Sequence, residues 1–588
     1  MRRLGPLYLA ACIAAGAAVS LAAMPGARAQ TAPPASAAPA VPLPAPTAAP
    51  VAPSPSPTPS PSAAPVPAAA PVPAAAPVAS PATIPLGAPP PAPAPAPTVP
   101  PTQPPIIVDP PSAGVTPGGS QELRLQAVLG SASVTVANPA IADASVDQAT
   151  RILTIVGKQI GSTTVTVRDD RGLTRDVPVR VAYMAGAAAD SVLLRVTGRP
   201  ASEFFLQEQA LAAALKAVTL RPGASAVATA DGINVGAPLR VDDIATIDVP
   251  IILQGDPYFT VQATTHVRVE NFAQPSIRPQ SLLVSDFPET LKANGILFEA
   301  DLTTRQADRF LYYHYDPSTE PNRRIVLKVQ NTSNQPALVQ FIAGLAGPEP
   351  NEMEVGHLST QRFLVRLAQN EGTVISIPPS STVALMNQAL PAKSVVSGLM
   401  QLREIEGSSL HLTLVAQDAD ASIDGPVPTS ATLVGDVPHA RGIYPIPEFF
   451  YDYSYAADGP DLEIPIGQIP LPNLVQGQTL AGDYGVLQDI TIRMVNNDRH
   501  NARNIAIYAS PRGGRATGTF VIDRVLVQAH AMEPYGHYKL RQYTIPPGSF
   551  VRTEIVTMPE GGSSYPLRLV VAPDDGSAAP GTADSPVY

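Results

Sequence analysis

Val134-Thr135-Val136-Ala137-Asn138-Pro139-Ala140-Ile141-Ala142, followed after a short interval by Gly157-Lys158-Gln159-Ile160-Gly161-Ser162-Thr163-Thr164-Val165-Thr166-Val167, decides the fold of this chain. Val134 and Val136 alternate with polar neighbours, the period of a strand with one buried face. Asn138-Pro139 turns the chain, because the residue before a proline is driven to extended backbone and cannot continue a helix. Between the two stretches, Ile152-Leu153-Thr154-Ile155-Val156 is an apolar run of strand length. Gly157 and Gly161 bracket a tight connection into the alternating segment 163–167. Working outward, Leu123, Leu125 and Ala127 alternate on one side and Val177, Val179 and Val181 on the other, with turns at Pro117-Gly118-Gly119 and Asp169-Asp170-Arg171-Gly172. Short strands with this punctuation predict a β-sandwich over 106–183.

The same residues resemble the small β-sandwich shared by bacterial Ig-like group 2 domains and by the N-terminal region of pilus-assembly secretins. The resemblance covers only 106–183 of 588 residues. It implies a fold more than a function, because such domains serve adhesins, enzymes and pilus parts alike. A secretin also carries a large C-terminal membrane β-barrel domain, for which no signature is present, so the chain is read as something other than a secretin.

Upstream, 1–29 has the three parts of a secretory signal. Arg2 and Arg3 give the positive start, 4–23 is an apolar run, and Ala27-Arg28-Ala29 is a small-x-small cleavage site. Pro25 and Gly26 break the run, which favours removal over retention as a membrane anchor. Leu9-Ala10-Ala11-Cys12 also resembles a lipobox, but the apolar run continues well past Cys12; lipidation there would make the proline-rich segment a membrane tether. That segment, 30–105, is almost entirely Pro, Ala, Val, Ser and Thr, without a charge. It predicts a disordered, polyproline-II-rich spacer of about 3.1 Å per residue.

Cys12 is the one cysteine. The exported chain would have none, which excludes disulfides, thiolate metal sites and thiol nucleophiles and leaves stability to apolar cores. The formal net charge is −10, and cleavage would remove Arg2, Arg3 and Arg28 and no acid. Such a chain is a poor partner for nucleic acid or an anionic membrane surface.

Downstream, 185–274 reads as a small mixed β/α domain. Ser202 caps a helix over 203–218 whose apolar face is Phe204, Leu211, Leu215 and Val218, and Pro222-Gly223 stops it. Strands follow at 247–253 and 259–269, with His266 on the face opposite Val267 and Val269. Two later stretches echo each other. Val329-Gln330-Asn331 precedes Ile375-Ser376-Ile377-Pro378-Pro379-Ser380, and Val495-Asn496-Asn497 precedes Tyr543-Thr544-Ile545-Pro546-Pro547-Gly548-Ser549. In each, one strand ends at Asn and a later one at Ile-Pro-Pro. The echo predicts two related β-sandwiches, 279–434 and 439–573, before a disordered tail at 574–588.

The sequence has no HExxH, GxSxG, P-loop or GxGxxG motif, and its eight His residues are scattered. His530 and His537 flank Tyr535 and are read as loop or edge residues. Asp418, Asp420 and Asp424 lie together, but Thr429 stands where a calcium loop needs Glu, so they read as a solvated turn. Glu352 and Glu354 read as part of a Pro/Gly-rich connection. Phe310-Leu311-Tyr312-Tyr313-His314-Tyr315 reads as strand packing. Phe449, Phe450, Tyr451, Tyr453 and Tyr455 follow two prolines and precede Asp458-Gly459-Pro460, so they read as an exposed loop and the candidate ligand or partner surface.

The expectation is a mainly β, multi-domain protein of tandem Ig-like sandwiches with one small α/β unit. It is exported to the periplasm, cell surface or medium and acts as a non-catalytic scaffold or adhesion-type component, without cofactor or metal. Its expected partners are envelope proteins or surface polysaccharide, not nucleic acid, and no transmembrane segment remains after signal cleavage. The alternatives are a carbohydrate-binding or carbohydrate-active secreted protein and a pilus-assembly accessory.

Overall fold

The computed structural model describes residues 103–287, 289–319, 322–423, 425, 440–474 and 479–577. The signal and spacer up to residue 102, Asp424 of the acidic turn, and the chain from 578 onward lie outside these residues.

The first sandwich has two four-stranded sheets. One runs Ile107–Asp109, Ser120–Gln126, Ile152–Gly157, Ala142–Asp147, and the other Ala113–Val115, Thr174–Val181, Gly161–Asp169, Ala132–Val136. The alternating residues meet as expected: Leu123, Leu125, Leu153, Ile155, Val165, Val167, Val177, Val179 and Val181 are buried in one core. Gly157 is required where the sheets approach, because a Cβ there would lie 2.6 Å from the Thr116 carbonyl oxygen.

Beyond it lies a ten-stranded sheet in the order Ser225–Val227, Ile244–Gln254, Val261–Asn271, Ser191–Thr197, Gly372–Ile377, Ala337–Glu349, Ser394–Glu406, Ala307–Asp316, Pro279–Ser285, Arg441–Tyr444. Segments that the sequence reads as three separate units all contribute strands to it. The weld is Val196 against Thr373 and Thr197 against Gly372. It is sealed by buried hydrogen bonds: Thr197 Oγ1 donates to the Asn370 carbonyl at 2.6 Å, and Gln340 Nε2 donates to Thr197 Oγ1 at 2.9 Å.

The first helix, α1, is Glu203–Lys216, with the Phe205 amide donating to the Ser202 side chain at 3.4 Å. Its buried residues are Phe205, Leu206, Ala210 and Ala214, while Phe204 is 72% exposed. The apolar face expected from Phe204, Leu211 and Leu215 is thus rotated. Two alanines let the helix approach the sheet closely, and small residues carry little weight in a pattern read from large ones. Val218 has already left the helix for the strand Val218–Leu220, which pairs with Gly186–Ala188.

The sheet Gly295–Asp301, Leu410–Asp418, Arg323–Asn331, Ser381–Leu390 covers one face of the ten-stranded sheet. Phe310 and Tyr312 of the expected packing cluster point into that core, and Leu311 into the apolar cluster on the opposite face. The last sandwich pairs a five-stranded sheet (Glu448–Ala456, Leu487–Val495, Phe550–Thr557, Ala516–Ile522, Val525–Met532) with a four-stranded one (Leu462–Ile466, Leu567–Pro573, Arg503–Pro511, Tyr538–Ile545).

The sequence echo has a physical basis. Asn331 Nδ2 donates to the carbonyls of Gln335, Ile377 and Pro378 at 2.7, 3.2 and 3.3 Å, and Asn496 Nδ2 to those of Asn501, Ile545 and Pro546 at 2.8, 3.0 and 3.1 Å. The Asn331 side-chain oxygen accepts from the Ser333 amide, and that of Asn496 from the Asp498 amide, both at 3.0 Å. Each Asn is buried and ties the carbonyls at its Ile-Pro-Pro strand end to one of the turn that follows it.

A second helix, α2, spans Glu352–Gln369 and corrects the expectation of a loop around Glu352 and Glu354. Asn351 accepts from the Glu354 amide and Asn370 closes the helix in the left-handed conformation, an N-cap and C-cap pair that terminates both ends. Residues 574–577, read as the start of a disordered tail, are held instead: Lys539 Nζ donates to Asp574 and to the Ser577 carbonyl. No helix among the described residues is long and apolar enough to cross a membrane.

Candidate functional site

The expected aromatic surface is a strand, not a loop. Glu448–Ala456 is the edge of the five-stranded sheet and pairs in parallel with Leu487–Val495. Alternation places Phe449, Tyr451, Tyr453 and Tyr455 on one face. Their rings form a ladder with centroids 5.9 Å apart from Phe449 to Tyr451 and 5.9 Å from Tyr451 to Tyr453. Tyr455 is buried in the core, Tyr451 and Tyr453 pack against it, and Phe449 joins the apolar cluster between the sandwiches. Phe450, on the other face, is 48% exposed, with the Arg278 guanidinium 4.1 Å above its ring. The structure therefore brings four of the five residues onto one face and leaves Phe450 on the other. The two prolines before the cluster suggest a loop, but they end just where the strand begins.

More polar chemistry gathers where the last two sandwiches meet. Leu282, Val284, Leu311, Ile342, Phe363, Leu364, Leu399, Tyr444, Leu487 and Met558 form a buried cluster drawn from both sandwiches and α2. Arg309, with 0% exposure, crosses the junction: Nη1 donates to the Pro447 carbonyl and Nη2 to Glu448, each at 2.7 Å. Burial pulls its guanidinium below the usual value and the Glu448 charge opposes that.

Along the N-terminal half of α2 lies a polar network. His357 and Glu560 are both fully buried, and His357 Nδ1 lies 3.0 Å from Glu560 Oε2. Thr517 Oγ1 donates to the same carboxylate at 2.5 Å, and Thr517 Oγ1 and Ser563 Oγ are 2.7 Å apart. Burial pulls the imidazole pKa down, but the Glu560 charge and hydrogen bond, with Glu354 beyond, outweigh it and the net shift is upward. The loop carrying Glu560 fits α2 through glycine on both sides: a Cβ on Gly356 would lie 1.7 Å from the Gly561 carbonyl oxygen.

Ser, Thr, His and Glu together invite comparison with a hydrolytic triad, in which the carboxylate orients one ring nitrogen and the nucleophile faces the other. Here the hydroxyls of Thr517 and Ser563 lie on the carboxylate side. No hydroxyl bonds His357 Nε2 among the described residues, and the His530 ring stands edge-on at 4.4 Å. This arrangement pins an interface. His537 lies elsewhere, 6.0 Å from the Tyr508 ring.

A cavity of about 170 Å³ opens beside this network, walled by Asp286, Glu289, Tyr313, Tyr484 and the loop Gly561, Gly562 and Ser563. Tyr484 donates to the Ser563 carbonyl at 2.8 Å. Next to it, Asp483 is buried, and burial pushes its carboxyl up to about 7. No group of three or more His, Cys, Asp or Glu suited to a metal ion occurs among the described residues.

His357, Glu560 and the cavity escape sequence reasoning because their members lie far apart in the chain. One local signal exists: Asn351-x-x-Glu354 is the pattern of a capped helix start, and it places His357 in α2.

Comparison with known proteins bears on the first sandwich. Residues 110–182 match the pilus formation protein N-terminal region. This pilus-formation-like domain coincides with the sandwich whose turns and strands carry the resemblance in the sequence. No curated protein matches the chain. Among solved structures, the Bacteroides ovatus mixed-linkage glucan utilization locus SGBP-B, in complex with a mixed-linkage heptasaccharide, is 10% identical, with 51% of this chain and 70% of that one covered and a TM-score of 0.13. Mouse cadherin-23 EC22-24 is 13% identical, covering 29% and 64%, with a TM-score of 0.11. A SusE-like surface polysaccharide-binding protein of Bacteroides thetaiotaomicron is 10% identical, covering 38% and 42%, with a TM-score of 0.12. Likenesses at this level say nothing about ligand or partner.

Proposed function

We propose that this chain is a non-catalytic scaffold and binding component of an exported bacterial envelope assembly, and that it works alongside pilus machinery. The observation that carries this reading is the match of residues 110–182 to the pilus formation protein N-terminal region. The rest of the described chain is suited to holding partners. It welds two cores through one sheet and spends its buried polar groups on pinning an interface. The signal, the spacer and the absence of thiols in the exported chain are consistent with this compartment.

The test is in-cell cross-linking of a C-terminally tagged copy, with identification of the captured proteins. Recovery of pilus or other envelope proteins is expected. Capture of no protein, with the chain free in the medium or held on polysaccharide, would overturn the proposal and turn attention to the ladder of Phe449, Tyr451 and Tyr453 as a sugar platform.

A further inference from the structure

A sheet edge left unpaired offers a row of amides and carbonyls to any extended chain, and proteins blunt such edges with bulges, prolines or lysines. This chain does so at its long edges with one exception. Among the described edge strands longer than six residues, Gly295–Asp301, Ser381–Leu390, Val525–Met532 and Tyr538–Ile545 each carry an extra residue against their neighbour. Glu448–Ala456 pairs with Leu487–Val495 at nine consecutive positions without a shift, and it holds no Pro, Lys or Arg. No strand among the described residues borders its outer side.

The direction of the free groups follows from the two ends of the strand. The Leu487 amide donates to the Pro447 carbonyl, and the Ala457 amide donates to the Val495 carbonyl. Odd-numbered backbone groups therefore face Leu487–Val495, and those of Phe450, Asp452 and Ser454 face outward. The rings of Phe449, Tyr451 and Tyr453 are only half-buried, so their ladder lies open at this edge. On the other face, the Arg278 side chain over the Phe450 ring is 73% exposed, with Glu448 3.8 Å away. Asp452 is exposed and makes no ion pair among the described residues.

We propose that a second copy of this chain pairs with this edge, antiparallel about a two-fold axis at Tyr451, and joins two five-stranded sheets into one. A two-fold pairing sets the same patch against itself, so the patch must be self-complementary. Charge sets the register. An axis at Asp452 would oppose two carboxylates, which is unfavourable. An axis at Tyr451 sets the outward-facing Phe450 against Asp452 of the second copy, so each exposed carboxylate meets the Arg278 that covers the facing ring. On the inner face Phe449 meets Tyr453 of the second copy and Tyr451 meets its own counterpart, which carries the aromatic ladder across the axis. The proline-rich stretch before residue 103 is ill-suited to this place, because its prolines lack the donors that a strand pair needs.

Sedimentation equilibrium of the full chain tests this. One strand pair is a small interface, so a reversible dimer should appear over about 1–200 µM. Asp452→Pro removes an outward N–H and is tolerated on an edge strand. It should weaken the dimer by about ten-fold or more, with unchanged thermal unfolding. Asp452→Arg and Arg278→Asp should each weaken it several-fold. An equimolar mixture of these two variants should recover most of the affinity, because each carboxylate again faces an arginine. Hydrogen exchange at the amides of Phe450, Asp452 and Ser454 should slow as concentration rises. A chain that stays monomeric across that range overturns the proposal and leaves the edge to an extended segment of another protein. So does a dimer indifferent to Asp452→Pro, which must use another surface, or a mixture no tighter than its components. The scaffold reading does not depend on this dimer and keeps its own cross-linking test.

Discussion

Replacing His357 by Leu tests whether the buried pair pins the two sandwiches together. In the wild type the imidazole and the Glu560 carboxylate have no solvent exposure and lie 3.0 Å apart. Removing one member leaves the other charge buried with only Thr517 to bond it, which costs about 3–5 kcal/mol. At about 1–2 °C per kcal/mol for a unit of roughly 300 residues, the transition of the joined sandwiches should fall by roughly 3–10 °C. The double variant His357→Leu, Glu560→Met replaces the pair with apolar volume and should recover most of that loss. Scanning calorimetry of the full chain reads both, and the first sandwich serves as internal control because its core shares no residue with the junction. The pH dependence has a definite sign. The folded pKa of His357 is raised from 6.5, so its charged-state stabilisation is complete below about 6.5 and is lost as pH rises through the folded value. The penalty of His357→Leu should therefore be larger at pH 6 than at pH 9. A loss below about 1 kcal/mol at pH 6, a penalty that grows with pH, or a double variant as unstable as the single one would refute the argument.

Arg309→Met should cost about 1.5–3 kcal/mol, the range for a lost hydrogen bond to a charged group, because Glu448 loses its 2.7 Å partner and keeps only Arg278 at 3.8 Å, and urea unfolding reads the loss. Gly356→Ala should destabilise even though alanine is the better helix former by about 1 kcal/mol. The added carbon overlaps the Gly561 carbonyl, and a net loss of about 1–3 kcal/mol in thermal unfolding is expected from overpacking. Asp483 binds its proton more tightly in the fold, at about 7 against an ordinary value of 3.8. Stability from this group is thus present at low pH and falls as pH rises from about 4 to 7. Asp483→Asn should flatten that part of the urea-midpoint profile and leave the variant more stable than wild type at pH 8.

The first sandwich is legible because its core is built from near neighbours in sequence, with alternating Val, Ile and Leu and a turn residue at each reversal. The Asn and Ile-Pro-Pro echo is legible because each copy keeps the donor and the carbonyls it satisfies. Two kinds of feature are hidden. The α1 face is misplaced because Ala210 and Ala214 do the close packing and Phe204 points outward. The α2 helix is masked because Gly356, Ser359 and Thr360 interrupt its apolar pattern; Gly356 lets the Gly561 carbonyl approach and Ser359 donates to the Gly344 carbonyl. The edge strand reads as a loop because proline and aromatic residues say little about strand pairing. The junction network needs the fold itself: His357 and Glu560 are separated by two hundred and three positions, and nothing local marks either.

The ten-stranded sheet also limits how this protein can be rearranged in evolution. Units joined by linkers are cassettes that recombination can drop, duplicate or swap. The region 185–274 is not such a cassette. Its strand Ser191–Thr197 supplies the neighbour of Gly372–Ile377, and Asn370 and Gln340 meet their partners at Thr197. Excising it would bare a sheet edge and strand buried amides. The same sheet ends at Arg441–Tyr444, paired with Pro279–Ser285, so inheritance should move at least 185–444 as a block.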